Sequence, residues 1–175
     1  MSFEELLAHF PDLEKDVCYK TLENSVYYLE EIKDSTVQLK TEEEYWNLCL
    51  ENENLKEILF LENEYSIMKN EDSKKCDWVI FGNNNIHFIE SKDVKPRNRR
   101  KERIDAIKQL IATIEFYKSK VDLDSITIFS QICFQSKSKT IKAGDQARKV
   151  LFKQYNSEFS EGNLIKFENP KPDRF

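Results

Sequence analysis

The segment CDWVIFGNNNIHFIESKDV (residues 76–94) carries three ionisable side chains in a pattern that could do chemistry. Asp77 lies near the start of one apolar run, and Glu90 and Lys92 lie at the end of the next. Side chains of a β-strand alternate between two faces, so Glu90 and Lys92 are expected on one face. A hairpin turn at GNNN would place Asp77 opposite them. Charges cost free energy on apolar strands, so this pattern calls for a functional reason.

Two carboxylates and one ammonium group suit the hydrolysis of a phosphodiester. The carboxylates can hold Mg²⁺ or Mn²⁺, with waters and a substrate phosphate completing the shell. Such an ion polarises the phosphoryl oxygen and lowers the pKa of a bound water. The lysine can orient that water and offset charge on the phosphate.

Two other readings of the same three residues stay open. One is a structural ion pair without catalytic function. The other is a glycoside hydrolase with Asp77 and Glu90 as its acid and base. The lysine between the carboxylates, the small chain and the lack of aromatic walls disfavour the glycoside hydrolase.

Asp77, a spacer of twelve residues and Glu90-Ser91-Lys92 resemble the (P)D…(D/E)xK signature of the PD-(D/E)xK nuclease superfamily, with Cys76 in place of the proline. The resemblance implies that Asp77 and Glu90 are metal ligands. It also implies that the main-chain carbonyl of Ser91 is a third ligand and that Lys92 positions or activates the attacking water.

The resemblance implies two further site residues. Members of the superfamily often add an acid upstream of the aspartate, and Glu64 is preferred to Glu62 because it is nearer to Asp77; both are expected on one face of the preceding strand. Many members carry a glutamine on the helix after the ExK strand, and Gln109 matches it. The alternatives are exposed strand carboxylates and a solvated glutamine.

Hydrophobic periodicity and turn signals predict the elements that position these residues. The helices are predicted at 2–9, from the capping box TEEE at 41–44 toward residue 58, at 99–118 on a stripe of isoleucines, and from Asp145 to residue 155. The strands are predicted at 25–30, 59–68, 76–81, 86–91, 125–134 and 164–167. The order between residues 41 and 135 gives an α/β or mixed α+β fold with an αβββαβ core, similar to the restriction-endonuclease-like fold. We therefore expect one domain over residues 1–175, with its core at about 41–135, an acidic N-terminal helical extension and a C-terminal helix-strand extension.

The net charge of −5 is unevenly distributed. The first 70 residues hold 17 acidic and 6 basic residues, and the rest hold 15 acidic and 21 basic residues. The basic segment KDVKPRNRRKER (92–103) follows the ExK strand directly and continues into a helix start, where basic residues oppose the helix dipole. It can contact a phosphate backbone or be a solvated loop. The predicted nucleic-acid contacts are Lys95, Arg97, Arg99, Arg100, Lys101 and Arg103.

Other features narrow the class of protein. The four cysteines form no CxxC pair and the two histidines are far apart, which disfavours zinc and disulfide frameworks. Apolar runs are too short to span a bilayer, and MSFEELLAHF does not resemble a secretory signal, so we expect a cytoplasmic protein without membrane contact.

These observations predict a Mg²⁺- or Mn²⁺-dependent nuclease with DNA as the expected substrate, and the resemblance implies a role in restriction, repair or phage defence. A homodimer or a partner protein is expected to direct it to its target. The alternative is a catalytically inactive nuclease-like scaffold that binds protein or nucleic acid.

Overall fold

The computed structural model describes residues 2–31, 37–53, 56–82, 84–134, 141–143 and 146–167. Within these residues the chain forms two β-sheets and three α-helices. The helices are α1 (Phe3–Ala8), α2 (Arg99–Lys120) and α3 (Gln146–Lys153). The strands are β1 (Tyr19–Leu22), β2 (Val26–Glu30), β3 (Gln38–Lys40), β4 (Leu48–Asn52), β5 (Ile58–Glu62), β6 (Trp78–Gly82), β7 (Asn85–Lys92), β8 (Thr127–Phe134), β9 (Ile141–Ala143), β10 (Ser157–Gly162) and β11 (Leu164–Phe167).

Sheet A has the strand order β1-β5-β6-β7-β8-β10-β9. Strands β5, β6 and β7 form an antiparallel meander, whereas β8 runs parallel to β7 because the chain crosses over through α2. Sheet B has the order β11-β4-β2-β3, with β11 parallel to β4. The predicted mixed α+β class with a mixed central sheet is therefore confirmed.

Strands β5 and β6 and most of β7 are buried on both faces, as their nearly continuous apolar sequences require. Alternation along β5 shows the two sides: Leu59 and Leu61 face the core formed with the helices, and Ile58 and Phe60 face the core formed with sheet B. Glu90 shares the helical side with its strand neighbour Phe88, since residues two apart project to one face.

Helix α2 covers the helical side of sheet A. Its buried positions are Ala106, Leu110, Thr113, Ile114 and Tyr117. The predicted isoleucine stripe is thus rotated, and Ile104 is 51% exposed. The small side chains of Ala106 and Thr113 let the helix lie close to the strands that carry Asp77 and Glu90.

The helix predicted from residue 41 toward residue 58 is wrong. Residues 41–47 form bends and turns, and β4 follows. The capping-box pattern is a local preference only, whereas β4 pairs with β2 and β11 and buries Leu48, Cys49 and Leu50. Burial from both sides outweighs the local preference for a helix.

Other predicted boundaries also differ. The strand predicted over 59–68 ends at Glu62, and a turn of π-helix, Asn63–Ile67, follows. The N-terminal extension contains the short helix α1, capped by Ser2, but also β1, β2 and β3. The predicted cap Asp145 and the tail after Phe167 lie outside the described residues.

The four cysteines are free thiols, and Cys49, Cys76 and Cys133 are buried. In the part of the chain that the structure describes, no helix is long and apolar enough to cross a membrane.

Candidate active site

The paired strands β6 and β7 bring Asp77, Glu90 and Lys92 together at one end of sheet A. Trp78 pairs with Ile89, so the next pair outward sets Asp77 opposite Glu90. The Glu90 carboxylate is fully buried, and the Lys92 ammonium group contacts its Oε1 atom. The predicted juxtaposition of two carboxylates and one lysine is present in the structure.

Asp77 is fixed from the neighbouring strand and from the π-helical turn. Its Oδ2 accepts a hydrogen bond of 2.6 Å from the Ser91 amide. Its main-chain carbonyl accepts a bond of 2.9 Å from the Asn63 amide, and the Asn63 side chain donates to the Cys76 carbonyl at 2.8 Å. The Tyr117 hydroxyl on α2 donates in turn to Asn63 Oδ1 at 3.2 Å. The position of Asp77 therefore depends on a buried polar network.

Helix α2 holds the residues just before Asp77. Gln109 donates through Nε2 to the Lys75 carbonyl at 3.0 Å. Thr113 Oγ1 accepts a bond of 2.8 Å from the Cys76 amide and donates to the Gln109 carbonyl. Gln109, predicted as a catalytic residue, thus has an observed role in positioning the strand that begins after Asp77.

The two buried carboxyl groups oppose each other's charge. Burial raises the pKa of Asp77 to about 7, although the Ser91 amide bond lowers it. Burial and the Asp77 charge raise the pKa of Glu90 well above its ordinary value. Burial alone would lower the pKa of Lys92, but the Glu90 carboxylate outweighs this effect and the pKa is raised. One ammonium group thus stands against two carboxyls, an arrangement that a further cation would relieve.

Glu64 and Glu62 are the two candidates for the upstream acid. Glu64 lies in the π-helical turn, not on a strand with Glu62 as predicted, and its charge acts on Asp77, Glu90 and Glu31. Glu62 is buried on the Trp78 side of sheet A, the side opposite Asp77. Of the two acids, Glu64 is therefore the one whose charge acts on Asp77 and Glu90, and its role as a metal-site acid stays a prediction.

Glu31 was missed by sequence reasoning. It follows β2 of sheet B, yet its charge raises the pKa of Asp77, and its own pKa is raised by partial desolvation, opposed by the Ser91 hydroxyl and by Lys92. No spacing in the sequence links residue 31 to residue 77, because only the packing of sheet B onto sheet A brings them close. Its position directly after the strand predicted at 25–30 is the one local signal that Glu31 offers.

The residues fit a divalent cation with few protein ligands. Among the described residues, no three His, Cys, Asp or Glu side chains are close enough together to form a complete metal cage. Mg²⁺ is usually bound by one or two carboxylates and several waters. Asp77, Glu90 and the Ser91 carbonyl match such a donor set, and Glu90 Oε2 is buried with no hydrogen-bond partner in the described chain.

The basic segment begins at the last residue of β7 and continues into the first residues of α2. Lys95, Arg97, Arg100 and Lys101 are exposed. Arg103 differs, because its guanidinium binds Glu161 through two hydrogen bonds of 2.6 and 2.8 Å.

Arg99 of this segment also contacts protein. The guanidinium groups of Arg99 and Arg103 lie 5.1 and 5.2 Å from the centre of the Phe134 ring. Arg103 therefore joins α2 to β10, and the four exposed residues form the accessible part of the segment.

No protein-family model, curated protein or solved structure matches this chain. The case for a function therefore depends on the residues and their geometry.

Proposed function

We propose that this protein is a Mg²⁺- or Mn²⁺-dependent nuclease that hydrolyses phosphodiester bonds, preferably in DNA. The observation that carries the proposal is the placement of Asp77 opposite Glu90 on paired strands with Lys92 in contact with Glu90. A buried structural ion pair would need one carboxylate for one lysine. Lys92 faces two buried carboxyls in the described part of the chain, and this excess of acid favours a cation site.

Each residue has a distinct role in this proposal. Asp77, Glu90 and the Ser91 carbonyl would hold the ion, and Glu64 and Glu31 would bind its outer waters. When bound, the ion would supply Lewis-acid chemistry at the phosphate. Lys92 stays protonated and can donate hydrogen bonds to the attacking water or to a phosphate oxygen. The Ser91 amide keeps the Asp77 carboxylate turned toward β7.

The order of elements supports the same class of enzyme. The meander β5-β6-β7, the crossover helix α2 and the parallel strand β8 follow the βββαβ order implied by the resemblance to PD-(D/E)xK nucleases. The preceding helix would then be α1, since the helix predicted at 41–58 does not exist. This likeness concerns topology and supports the proposal only together with the site.

The exposed basic segment supports nucleic acid as the substrate. Lys95, Arg97, Arg100 and Lys101 follow directly after Lys92 and can contact phosphates on either side of the bond to be cut. A homodimer or a partner protein that chooses the target remains part of the proposal.

Nicking of supercoiled plasmid tests the proposal. The wild-type protein should nick plasmid with Mg²⁺ or Mn²⁺ and not with EDTA. Asp77→Asn and Lys92→Ala should each lower the rate at least about a hundredfold, because each removes a group that acts on the reacting phosphate. The matched controls Asp12→Asn and Lys118→Ala change exposed residues away from the site and should cut at the wild-type rate.

Cleavage that survives both site substitutions would show that another site or a contaminant is responsible. If the wild type neither cuts plasmid nor binds Mn²⁺ in calorimetry, the alternative of a nuclease-like scaffold is favoured. Calorimetry of Mn²⁺ binding is therefore needed beside the cleavage assay to distinguish a nuclease from a scaffold.

A further inference from the structure

A second candidate site lies on the opposite side of sheet A. Among the described residues, sheet B leaves part of the face formed by β8 and β10 uncovered, and a cavity of about 710 Å³ lies there, beside β7. This volume is in the range of small-molecule sites. His87, Phe129 and the exposed side chains of Lys149 and Lys153 line it. Because His87 and Glu90 lie on opposite faces of β7, the cavity is separate from the candidate active site.

His87 is an unusual wall residue. It is 7% exposed, and neither ring nitrogen has a hydrogen-bond partner in the described part of the chain. Buried polar groups in folded proteins nearly always have such partners. Burial lowers the pKa of His87 to about 3, so the ring is neutral and offers one donor and one acceptor.

Aromatic rings surround this histidine. The His87 ring stacks on Phe129, with centroids 4.5 Å apart and planes at 10°, and lies 5.1 Å from the Phe167 ring centre. Phe129 is partly exposed and lines the cavity. A flat ligand can therefore contact the Phe129 ring, and a small shift of the His87 ring would bring its buried nitrogens to the ligand's polar edge.

The rim of the cavity is basic. Lys149 and Lys153 are four residues apart on α3, so their side chains lie on one face of the helix. Lys166 also lines the cavity but pairs with Glu51 at 3.0 Å, so its charge is already balanced. Glu158 is the one acid among the described residues of the lining, and it can accept a hydrogen bond from a sugar hydroxyl.

We propose that this cavity binds a nucleoside phosphate, with the base against Phe129 and His87 and the phosphate on Lys149 and Lys153. Phe129 suits a flat ring, the nitrogens of His87 suit a polar edge, and the two lysines suit an anionic group. A nucleoside phosphate has all three properties. The site does not depend on the proposed nuclease activity and needs no divalent ion.

Calorimetry of the full chain in EDTA tests this inference, with AMP, GMP, CMP and UMP as ligands and with adenosine and inorganic phosphate as partial ligands. At least one nucleotide should bind below about 1 mM, more tightly than either partial ligand. The double variant Lys149→Ala/Lys153→Ala should weaken binding at least tenfold, whereas the control Lys118→Ala/Lys120→Ala should not.

His87→Phe keeps an aromatic ring of similar size and removes the donor and the acceptor. We expect about tenfold weaker nucleotide binding with unchanged or higher thermal stability, since no buried polar group is left unpaired. Asp77→Asn should bind the nucleotide as the wild type does, which separates this site from the nuclease proposal. Absence of binding by every nucleotide at 1 mM, equal binding by phosphate alone, or unchanged affinity in the double lysine variant would each overturn the inference.

Discussion

The Asp77 carboxylate accepts a hydrogen bond from the Ser91 amide while its burial opposes its charge. The hydrogen bond fixes the direction of the carboxylate. Because burial makes its negative charge unfavourable, a bound cation would stabilise it. Burial opposes the charge of Glu90 more strongly, because its side chain is completely buried. A pair of this kind stabilises the folded chain only when positive charge is close.

Binding of Mg²⁺ should therefore stabilise the wild-type protein against heat. At an ion concentration of 100 times Kd, mass action gives about 2.7 kcal/mol. Asp77→Asn should remove most of this gain, since the amide is a weaker ligand but still accepts the Ser91 hydrogen bond. Thermal unfolding with and without Mg²⁺ measures the effect, and Asp12→Asn is the control. An equal Mg²⁺ gain in Asp77→Asn would show that the ion binds elsewhere.

His87 should make the fold sensitive to acid. Its pKa falls from 6.5 to about 3 on folding, so its contribution to stability is complete above pH 6.5 and is lost as pH falls toward 3. Over that interval the loss reaches at most about 5 kcal/mol, at about 1.4 kcal/mol per unit. His87→Phe should flatten this part of the stability profile.

Urea unfolding between pH 7 and pH 4 measures the acid sensitivity, with carboxyl effects common to both proteins. The exposed His9→Gln variant is the matched control and should follow the wild type. If His87→Phe loses stability with acid as steeply as the wild type does, the histidine is not the sensitive group.

At the scale of elements, α2 connects the candidate site to the rest of the fold. Thr113 and Gln109 accept and donate hydrogen bonds at the two residues before Asp77, and Tyr117 bonds to Asn63 one turn further along. The helix thereby sets where β6 begins. Its buried face consists of small and polar residues near the site and of larger residues further along.

Thr113→Val should destabilise the protein by about 1–3 kcal/mol, because it leaves the buried Cys76 amide without an acceptor at nearly constant volume. It should also slow plasmid nicking, since Asp77 follows Cys76 directly. Urea unfolding and the nicking rate measure the two effects. Thr127→Val, at an exposed strand position, is the control. A nicking rate unchanged in Thr113→Val would mean that the helix does not position Asp77.

Elements that depend on local patterns were predicted correctly from the sequence, whereas strand β4, which is set by distant strand pairing, was not. The hairpin of β6 and β7 and the helix α2 depend on local patterns, and both were found with nearly correct bounds. Strand β4 follows a good helix-start signal, but its conformation is set by pairing with β2 and β11, far away in sequence. Pairing with distant strands overrides the local helix preference, and it cannot be predicted from a short stretch of sequence around β4.

The candidate site divides in the same way. Asp77, Glu90 and Lys92 lie on one hairpin, so spacing alone predicts their meeting. Glu64 was placed near Asp77 for the wrong reason, since it lies in a π-helical turn and not on a strand. Glu31 could not be predicted from spacing, because it follows a strand of sheet B and only the packing of the two sheets brings it near Asp77.

At the scale of the whole molecule, charge is separated along the chain. The acidic first 70 residues contribute β2 and its acid Glu31, whereas the later part contributes the exposed basic segment. Nucleic acid would approach from the basic side, and the acids would face the bound cation. Under the proposed function, contacts of the basic segment with phosphates would make binding of nucleic acid sensitive to salt.

Substitution of Lys95, Arg97, Arg100 and Lys101 by Gln should weaken DNA binding and reduce its salt dependence. The slope of log K against log salt should fall by about 1 for each phosphate that the variant no longer neutralises. Fluorescence anisotropy with a labelled duplex in Ca²⁺, between 50 and 200 mM salt, measures both quantities. Lys118→Gln/Lys120→Gln removes charge at the other end of α2 and should leave the slope unchanged. The same slope in both variants would place the DNA elsewhere.

Strand β11 follows every other described strand in sequence, yet it borders β4 within sheet B. During synthesis the ribosome therefore releases Asp77, Glu90 and Lys92 well before the residues that finish the sheet behind them. A nascent or truncated chain presents β4 as an open edge and is a ready target for chaperones and proteases. Under the proposed function, and if the site needs sheet B behind it, that order of assembly would delay activity until translation has passed residue 167.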